Sequence, residues 1–169
     1  KEALLRSKEW YVNNKINLKL NTNIKFINHK NKSLSDEKDN LYHYDKLVIA
    51  TGSKNNLWGI DTKEYQKGNF FSLRNLEDSK RIRKKISEVQ TITIIGAGFI
   101  GLEIATTALQ LNKDVTIIEN SENVMGRSIS KDLSKWLINY YTKSGIKFIF
   151  NKSFKSFKSD ENSIIKVVL

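Results

Sequence analysis

Apolar residues follow two rhythms along the chain, and the pattern changes near residue 90. In Lys1 to Ile16, residues Leu4, Leu5, Trp10, Tyr11 and Val12 recur at a helical spacing that ends near Asn13 and Asn14, which predicts a surface helix. Asn17 to Leu20, Ile24 to Asn28 and Leu41 to Thr51 are short β-rich runs divided by polar clusters, the pattern of a small antiparallel meander. Asn55 to Gly68 is irregular and contains no proline to fix its path, so a domain crossing is expected there or just after it. Asn75 is placed to cap a helix from Leu76 to about Val89, with Leu76, Ile82, Ile86 and Val89 on one face.

From Gln90 onward the pattern reads β-α-β. Ile92 to Ile95 predicts a buried strand, Phe99 to Leu111 a helix, and Val115 to Ile118 a second strand parallel to the first. A further helix is expected over Lys131 to Lys143 with Leu133, Trp136, Leu137 and Tyr140 inward, ended by Ser144-Gly145 and followed by a third strand over Ile146 to Phe150. Lys152 to Leu169 predicts two more short strands.

Composition narrows the function. The 169 residues are 39% hydrophobic and 10% aromatic, enough to build a core despite 28% charged residues. Zero Cys excludes a thiolate metal site and a cysteine nucleophile within these residues, and only His29 and His43 remain as imidazoles, so no metal is expected. The missing cysteines fit a reducing compartment, and a cytoplasmic location is expected. Thr91 to Leu111 carries Glu103 as its only charge, but its glycines divide it into strand, turn and helix, and no membrane association is expected. The net charge of +11 includes the run Lys80-Arg81-Ile82-Arg83-Lys84-Lys85. Ile82 and Ile86 alternate inward among those charges, so the run reads as the solvated face of an amphipathic helix and no nucleic-acid partner is expected.

The residues that carry chemistry are Gly96-Ala97-Gly98-Phe99-Ile100-Gly101, between a strand and a helix, with Glu119 at the end of the next strand. A GxGxxG in that context, with an acid about 20 residues on, is a dinucleotide-binding fingerprint. Gly96 permits the tight turn, Gly98 lets a pyrophosphate approach the backbone, and Gly101 lets the helix lie close on the sheet. The phosphates would meet the N–H groups at the helix end. Glu119 would accept from a ribose diol and repel a 2′-phosphate, and no Arg follows at once in Glu119-Asn120-Ser121, so NAD is favoured over NADP, with Arg127 the one cation nearby that argues otherwise. The bland alternative is that the glycines only tighten strand-to-helix packing and Glu119 is an ordinary exposed carboxylate.

With these residues in view, TITIIGAGFIGLEIATTALQLNKDVTIIEN resembles the NAD-binding insertion of the pyridine nucleotide-disulfide oxidoreductase family, the flavoproteins with two dinucleotide domains. YHYDKLVIATGS is similar to the segment that hands over from FAD domain to NAD domain, and the first 22 residues are similar to the helix and strand before it. The likeness is nearest to the NADH-dependent branch of rubredoxin reductases, ferredoxin reductases, NADH oxidases and the nitrite reductase large subunit. It implies an α/β fold, a Rossmann-like βαβαβ NAD-binding domain over 72–169 preceded by a helix and β-meander, residues 1–71, from an incomplete FAD-binding domain. It also implies FAD and NAD as cofactors, Gly96, Ala97, Gly98, Phe99, Ile100 and Gly101 at the NAD pyrophosphate, Glu119 at the adenosine ribose, Ala50, Thr51 and Gly52 against FAD, and Glu103 as a catalytic carboxylate near the nicotinamide. For Glu103 the alternative is a carboxylate placed in the first helical turn for the helix dipole alone, and for Ala50 to Gly52 a plain strand end.

The family's first glycine fingerprint, its closing Gly-Asp segment and its redox cysteines would fall outside these residues. The chain is thus expected to be an internal piece, inactive alone, of an enzyme passing hydride from NADH to flavin and electrons on to an unknown acceptor, for which rubredoxin is a candidate. The competing expectation is a weak NAD(H)-binding module that catalyses nothing.

Overall fold

In a computed structural model, residues 5–56, 69–159 and 164–169 are described. Lys1 to Leu4 of the expected first helix, Trp58 and residues 57–68 of the irregular segment lie outside them. The chain divides into two compact units, Lys1–Gly52 and Ser53–Leu169. The stretch just after Gly52 joins the second unit because the Asn55 amide donates to the Ser72 hydroxyl at 2.6 Å and the Arg74 guanidinium to the Ser53 carbonyl at 3.1 Å.

The first unit contains α1 (Lys8–Asn13), β1 (Ile24–Asn28), β2 (Ser33–Asp36) and β3 (Leu41–His43), the strands forming an antiparallel meander in the order β1-β2-β3. The Ser7 hydroxyl accepts from the Trp10 amide and starts α1, which is shorter than the apolar spacing suggested. Asn17 to Leu20 forms no strand, and Leu18 and Leu20 face solvent. The run expected over Leu41 to Thr51 is strand only as far as His43, with Val48 86% exposed beyond it. The unexpected strand is β2, whose sequence is Ser-Leu-Ser-Asp. Asp36 explains it. Its carboxylate is buried and accepts from the Lys38 and Asn40 amides, the Asn40 side chain and the Tyr42 hydroxyl, all between 2.8 and 2.9 Å, so that polar bonds close the turn from β2 to β3.

The second unit contains α2 (Leu76–Glu88), β4 (Thr91–Ile95), α3 (Phe99–Gln110), β5 (Asp114–Ile118), α4 (Lys131–Lys143), β6 (Lys147–Ile149), β7 (Ser156–Ser159) and β8 (Ile164–Val168). Asn75 and Asp78 cap α2 reciprocally, each side chain accepting from the other's backbone N–H. β4, β5 and β6 form a parallel sheet in that order, with Ile92 opposite Val115 and Ile117 opposite Phe148. This is a Rossmann-like βαβαβ unit within an α/β chain. β7 and β8 pair antiparallel.

The core lies between this sheet and its two crossover helices. Val115 and Ile117 are buried against Leu102, Ala105 and Ala108 of α3, and Leu137, Ile138 and Tyr141 of α4 close the same cluster. The small side chains of α3 bring its backbone near the sheet. The expected inward face of α4 was turned too far round the helix: Leu137 packs inward, but Leu133, Trp136 and Tyr140 are exposed. The buried member on that side is Ser134, whose hydroxyl donates to the Val124 carbonyl at 2.9 Å, a bond that hydrophobic spacing does not register. On α2, Ile86 is buried while Leu76 is exposed.

Candidate functional site

The turn from β4 into α3 is built by backbone hydrogen bonds. The Gly96 amide continues the sheet by donating to the Ile118 carbonyl at 2.8 Å, and its φ of +101° then turns the chain into a region that side chains rarely adopt. Ala97 is fully buried, and both ends of its peptide are held: its N–H donates to Glu119 Oε2 at 2.8 Å and its carbonyl accepts from the Met125 amide at 2.9 Å. Gly101 packs so tightly under the turn that a Cβ there would collide with the Gly96 carbonyl oxygen. α3 can lie this close to β4 only with glycine at that position.

The helix end is open. Gly98 caps α3 with no side-chain partner, and the first helical bond runs from the Leu102 amide to the Gly98 carbonyl at 3.0 Å. The Phe99, Ile100 and Gly101 amides therefore have no intrahelical acceptor. A Cβ on Gly98 would meet nothing within 4 Å, and Gly98, Phe99 and Ile100 are exposed. Open space, outward N–H groups and the positive end of a helix dipole together suit a pyrophosphate.

Glu119 sits across the turn and is half-buried. Its N–H donates to the Ile149 carbonyl at 2.9 Å and its own carbonyl accepts from the Lys152 amide at 3.1 Å, which pins its backbone to the β6 side. Oε1 accepts from the Ser121 amide at 3.0 Å and contacts the Ser121 hydroxyl at 3.1 Å. A carboxylate held this way points at the glycine turn and keeps a lone pair on Oε2 for a further donor.

On the other side of the turn opens a cleft of about 1020 Å³, lined by β4, by Ile82 and Ile86 of α2, by Phe99 and Ile104 of α3 and by Phe70. Gly96, Gly98 and Gly101 are at its edge, so the turn stands between the cleft and Glu119. Glu103 is exposed on α3, does not line the cleft, and lies beyond the first helical turn, which holds no acidic residue. The dipole explanation for Glu103 is thereby weakened. Ala50, Thr51 and Gly52 belong to the first unit and are exposed there in an extended segment. Sequence reasoning missed Ser121 and Met125. The signal for Ser121 was its position two residues after the acid, where a short polar side chain and its amide reach back to a carboxylate.

The model of the pyridine nucleotide-disulphide oxidoreductase family matches residues 5–169. The chain belongs to this family. A rubredoxin-NAD(+) reductase of Ectopseudomonas oleovorans is 32% identical over 165 residues, which are 98% of this chain and 42% of that protein. One of Pseudomonas putida is 30% identical over 165 residues, with the same coverage of 98% and 42%. The chain spans about two fifths of the length of these curated relatives. Among solved structures, the putidaredoxin reductase in its covalent complex with putidaredoxin superposes with a TM-score of 0.86 at 26% identity, covering 97% of this chain and 40% of the other. A water-forming NADH oxidase of Lactobacillus brevis bound to NADH shares the fold, with a TM-score of 0.71 at 24% identity over 87% of this chain and 34% of the other. Among the described residues, no helix of this family member is long and apolar enough to cross a membrane.

Proposed function

We propose that this chain is the central part of an FAD-dependent NADH oxidoreductase, residues 1 to about 71 finishing the flavin domain and 72 to 169 beginning the nicotinamide domain. The observation that supports the reading is the 2.8 Å bond from the Ala97 amide to Glu119 Oε2, which holds a carboxylate beside the glycine turn and its open helix end. The pyrophosphate rests on the Phe99 and Ile100 amides above Gly98, the adenosine ribose meets Glu119, and the nicotinamide end continues past the N-terminus of α3. Glu103 is assigned to that nicotinamide end, and Ala50, Thr51 and Gly52 to contact with flavin. When bound, the flavin supplies the acceptor for hydride from NADH. The residues of this chain contribute placement.

Electrons then pass to a small redox protein. Two curated relatives are rubredoxin reductases, and a net charge of +11 would steer an acidic carrier such as rubredoxin toward the chain. The absence of cysteine suits a cytoplasmic setting. Coverage of two fifths of those relatives favours a second reading for the chain on its own, weak NADH binding without turnover. A yellow preparation that reduces dyes with NADH supports turnover by this chain, and a colourless one that only perturbs NADH fluorescence supports the second reading.

Fluorescence titration with NADH and NADPH tests the site. Glu119→Ala is expected to weaken NADH binding by roughly tenfold, about 1.4 kcal/mol, and NADPH binding by less. Equal loss for both, or none, removes Glu119 from the ribose.

A further inference from the structure

The outer face of α4 is apolar in its middle and charged at its two ends. At 3.6 residues per turn, Asp132, Leu133, Trp136, Tyr140 and Lys143 share about 100° of the helix circumference, turned away from buried Ser134. Leu133, Trp136 and Tyr140 are 46%, 60% and 53% exposed. The patch is contiguous and held in place: the Trp136 and Tyr140 rings stack at 5.5 Å with 9° between their planes, and Tyr140 meets Tyr141 edge-on at 5.3 Å, a ring that packs against the core. Exposed apolar side chains scattered singly need no partner, but a joined and fixed set of them points to one.

The charges at the ends decide what that partner is. Asp132 and Lys143 are exposed, and neither forms an ion pair among the described residues. They lie on the same flank of the aromatic pair, and the point midway between them along the helix nearly coincides with the point midway between Trp136 and Tyr140, close to Ile138. A twofold axis at that height lays a second α4 antiparallel on the first. It sets Trp136 of each copy against Tyr140 of the other, and Asp132 of each copy against Lys143 of the other. One acid and one base leave the face without net charge, which draws neither a nucleic acid nor an anionic bilayer nor an acidic protein, whereas the face complements itself when antiparallel and repels itself when parallel.

We propose that α4 is a self-association surface, through which two copies of this chain form a weak antiparallel dimer about a twofold axis near Ile138. Three large side chains per copy make a small interface, so the dissociation constant is expected on the order of 10–100 μM. A net charge of +11 on each copy opposes the contact. Screening over about 8 Å at physiological salt limits that opposition to charges near the interface. The dimer does not depend on the nucleotide site, which uses none of these five residues.

Sedimentation equilibrium of the chain at physiological salt tests the dimer. Reversible monomer–dimer exchange is expected, and Trp136→Ala is expected to weaken it about tenfold or more. Asp132→Lys and Lys143→Asp are each expected to abolish self-association, because each sets like charges face to face at both ends of the contact. An equimolar mixture of those two variants is expected to form the mixed dimer, in which both contacts are again opposite in sign. Charges placed for the helix dipole alone would show no such recovery. If either reversal does not fold, Asp132→Cys and Lys143→Cys carry the comparison: in a chain with no cysteine of its own, they are expected to cross-link with each other faster than either does with itself. A chain that stays monomeric, a dimer that Trp136→Ala leaves intact, a mixture of reversals without a mixed dimer, or cysteine variants that cross-link indiscriminately overturns the proposal. A monomer that binds phosphatidylglycerol vesicles through Trp136 gives the face to a lipid surface and overturns it as well.

Discussion

At Gly98 an added methyl group would enter empty space, at Gly101 it would strike the Gly96 carbonyl, and at Gly96 it would meet no neighbour yet force a side chain onto a φ of +101°. These are three physical demands inside one six-residue motif, and they separate stability from binding. Gly96→Ala is expected to cost about 1–3 kcal/mol through backbone strain. Gly98→Ala is expected to leave the denaturation midpoint unchanged while weakening NADH binding at least severalfold, because its methyl group takes the place of a phosphate oxygen. Urea titration and NADH fluorescence on the two variants check the split, and a Gly98→Ala that binds as the parent does would place the phosphates elsewhere. The motif and its acid were legible in the sequence because the spacing alone fixes which residues reach the turn. What hydrophobic spacing did not carry is the bond from the Met125 backbone amide to the Ala97 carbonyl, which no side chain at 125 announces.

Elements whose apolar residues enter the core of the second unit were read closely, and the polar cap that starts α2 was legible too, but two features set by other polar bonds were not. β4, β5 and α3 follow their apolar patterns to within a residue or so, whereas β2 is a strand because Asp36 ties its turn, and α4 is oriented partly by Ser134. The Leu41 to Thr51 run shows the opposite failure: β-rich residues continue, but among the described residues no neighbouring strand pairs with them past His43. The Asp36 bonds also make the meander sensitive to acid. The Asn40 side chain, then the Tyr42 hydroxyl and the Asn40 and Lys38 amides, hold the Asp36 carboxyl down from 3.8 to about 2 against the opposing effect of burial. A depressed value means the folded form prefers the ionised carboxylate, so its contribution is complete above about pH 4 and is lost as pH falls toward 2. The same bond raises Tyr42 above its usual value of 10.0, and that contribution is complete below pH 10 and lost above it. Amide exchange across the β2–β3 pair, followed from pH 5 to pH 2, is expected to accelerate beyond its intrinsic pH dependence over that window, and Asp36→Asn is expected to remove the inflection. Unchanged protection down to pH 2 would mean that Asp36 does not hold the hairpin.

Across the whole chain, apolar burial is uneven. Every buried hydrophobic residue among those described belongs to the second unit, while the buried residues of the first are Ser33 and Asp36. Leu20, Phe26 and Leu41, each more than 60% exposed, show apolar side chains for which the described residues of the first unit form no core. The stability of each unit follows from this distribution: water leaves Val115, Ile117 and Ile146 when the second unit folds, and it leaves little apolar surface when the first does. Native-state hydrogen exchange is therefore expected to open the chain in two steps, the amides of β1 to β3 exchanging through an early opening and those of β5 only with global unfolding of the second unit. Denaturant should lower the protection of β5 steeply and that of the meander weakly, because exposed area sets the slope. A single shared opening energy for β2 and β5 would show that the meander draws its stability from the Rossmann-like unit, and that the uneven burial does not divide the chain into separate folding units.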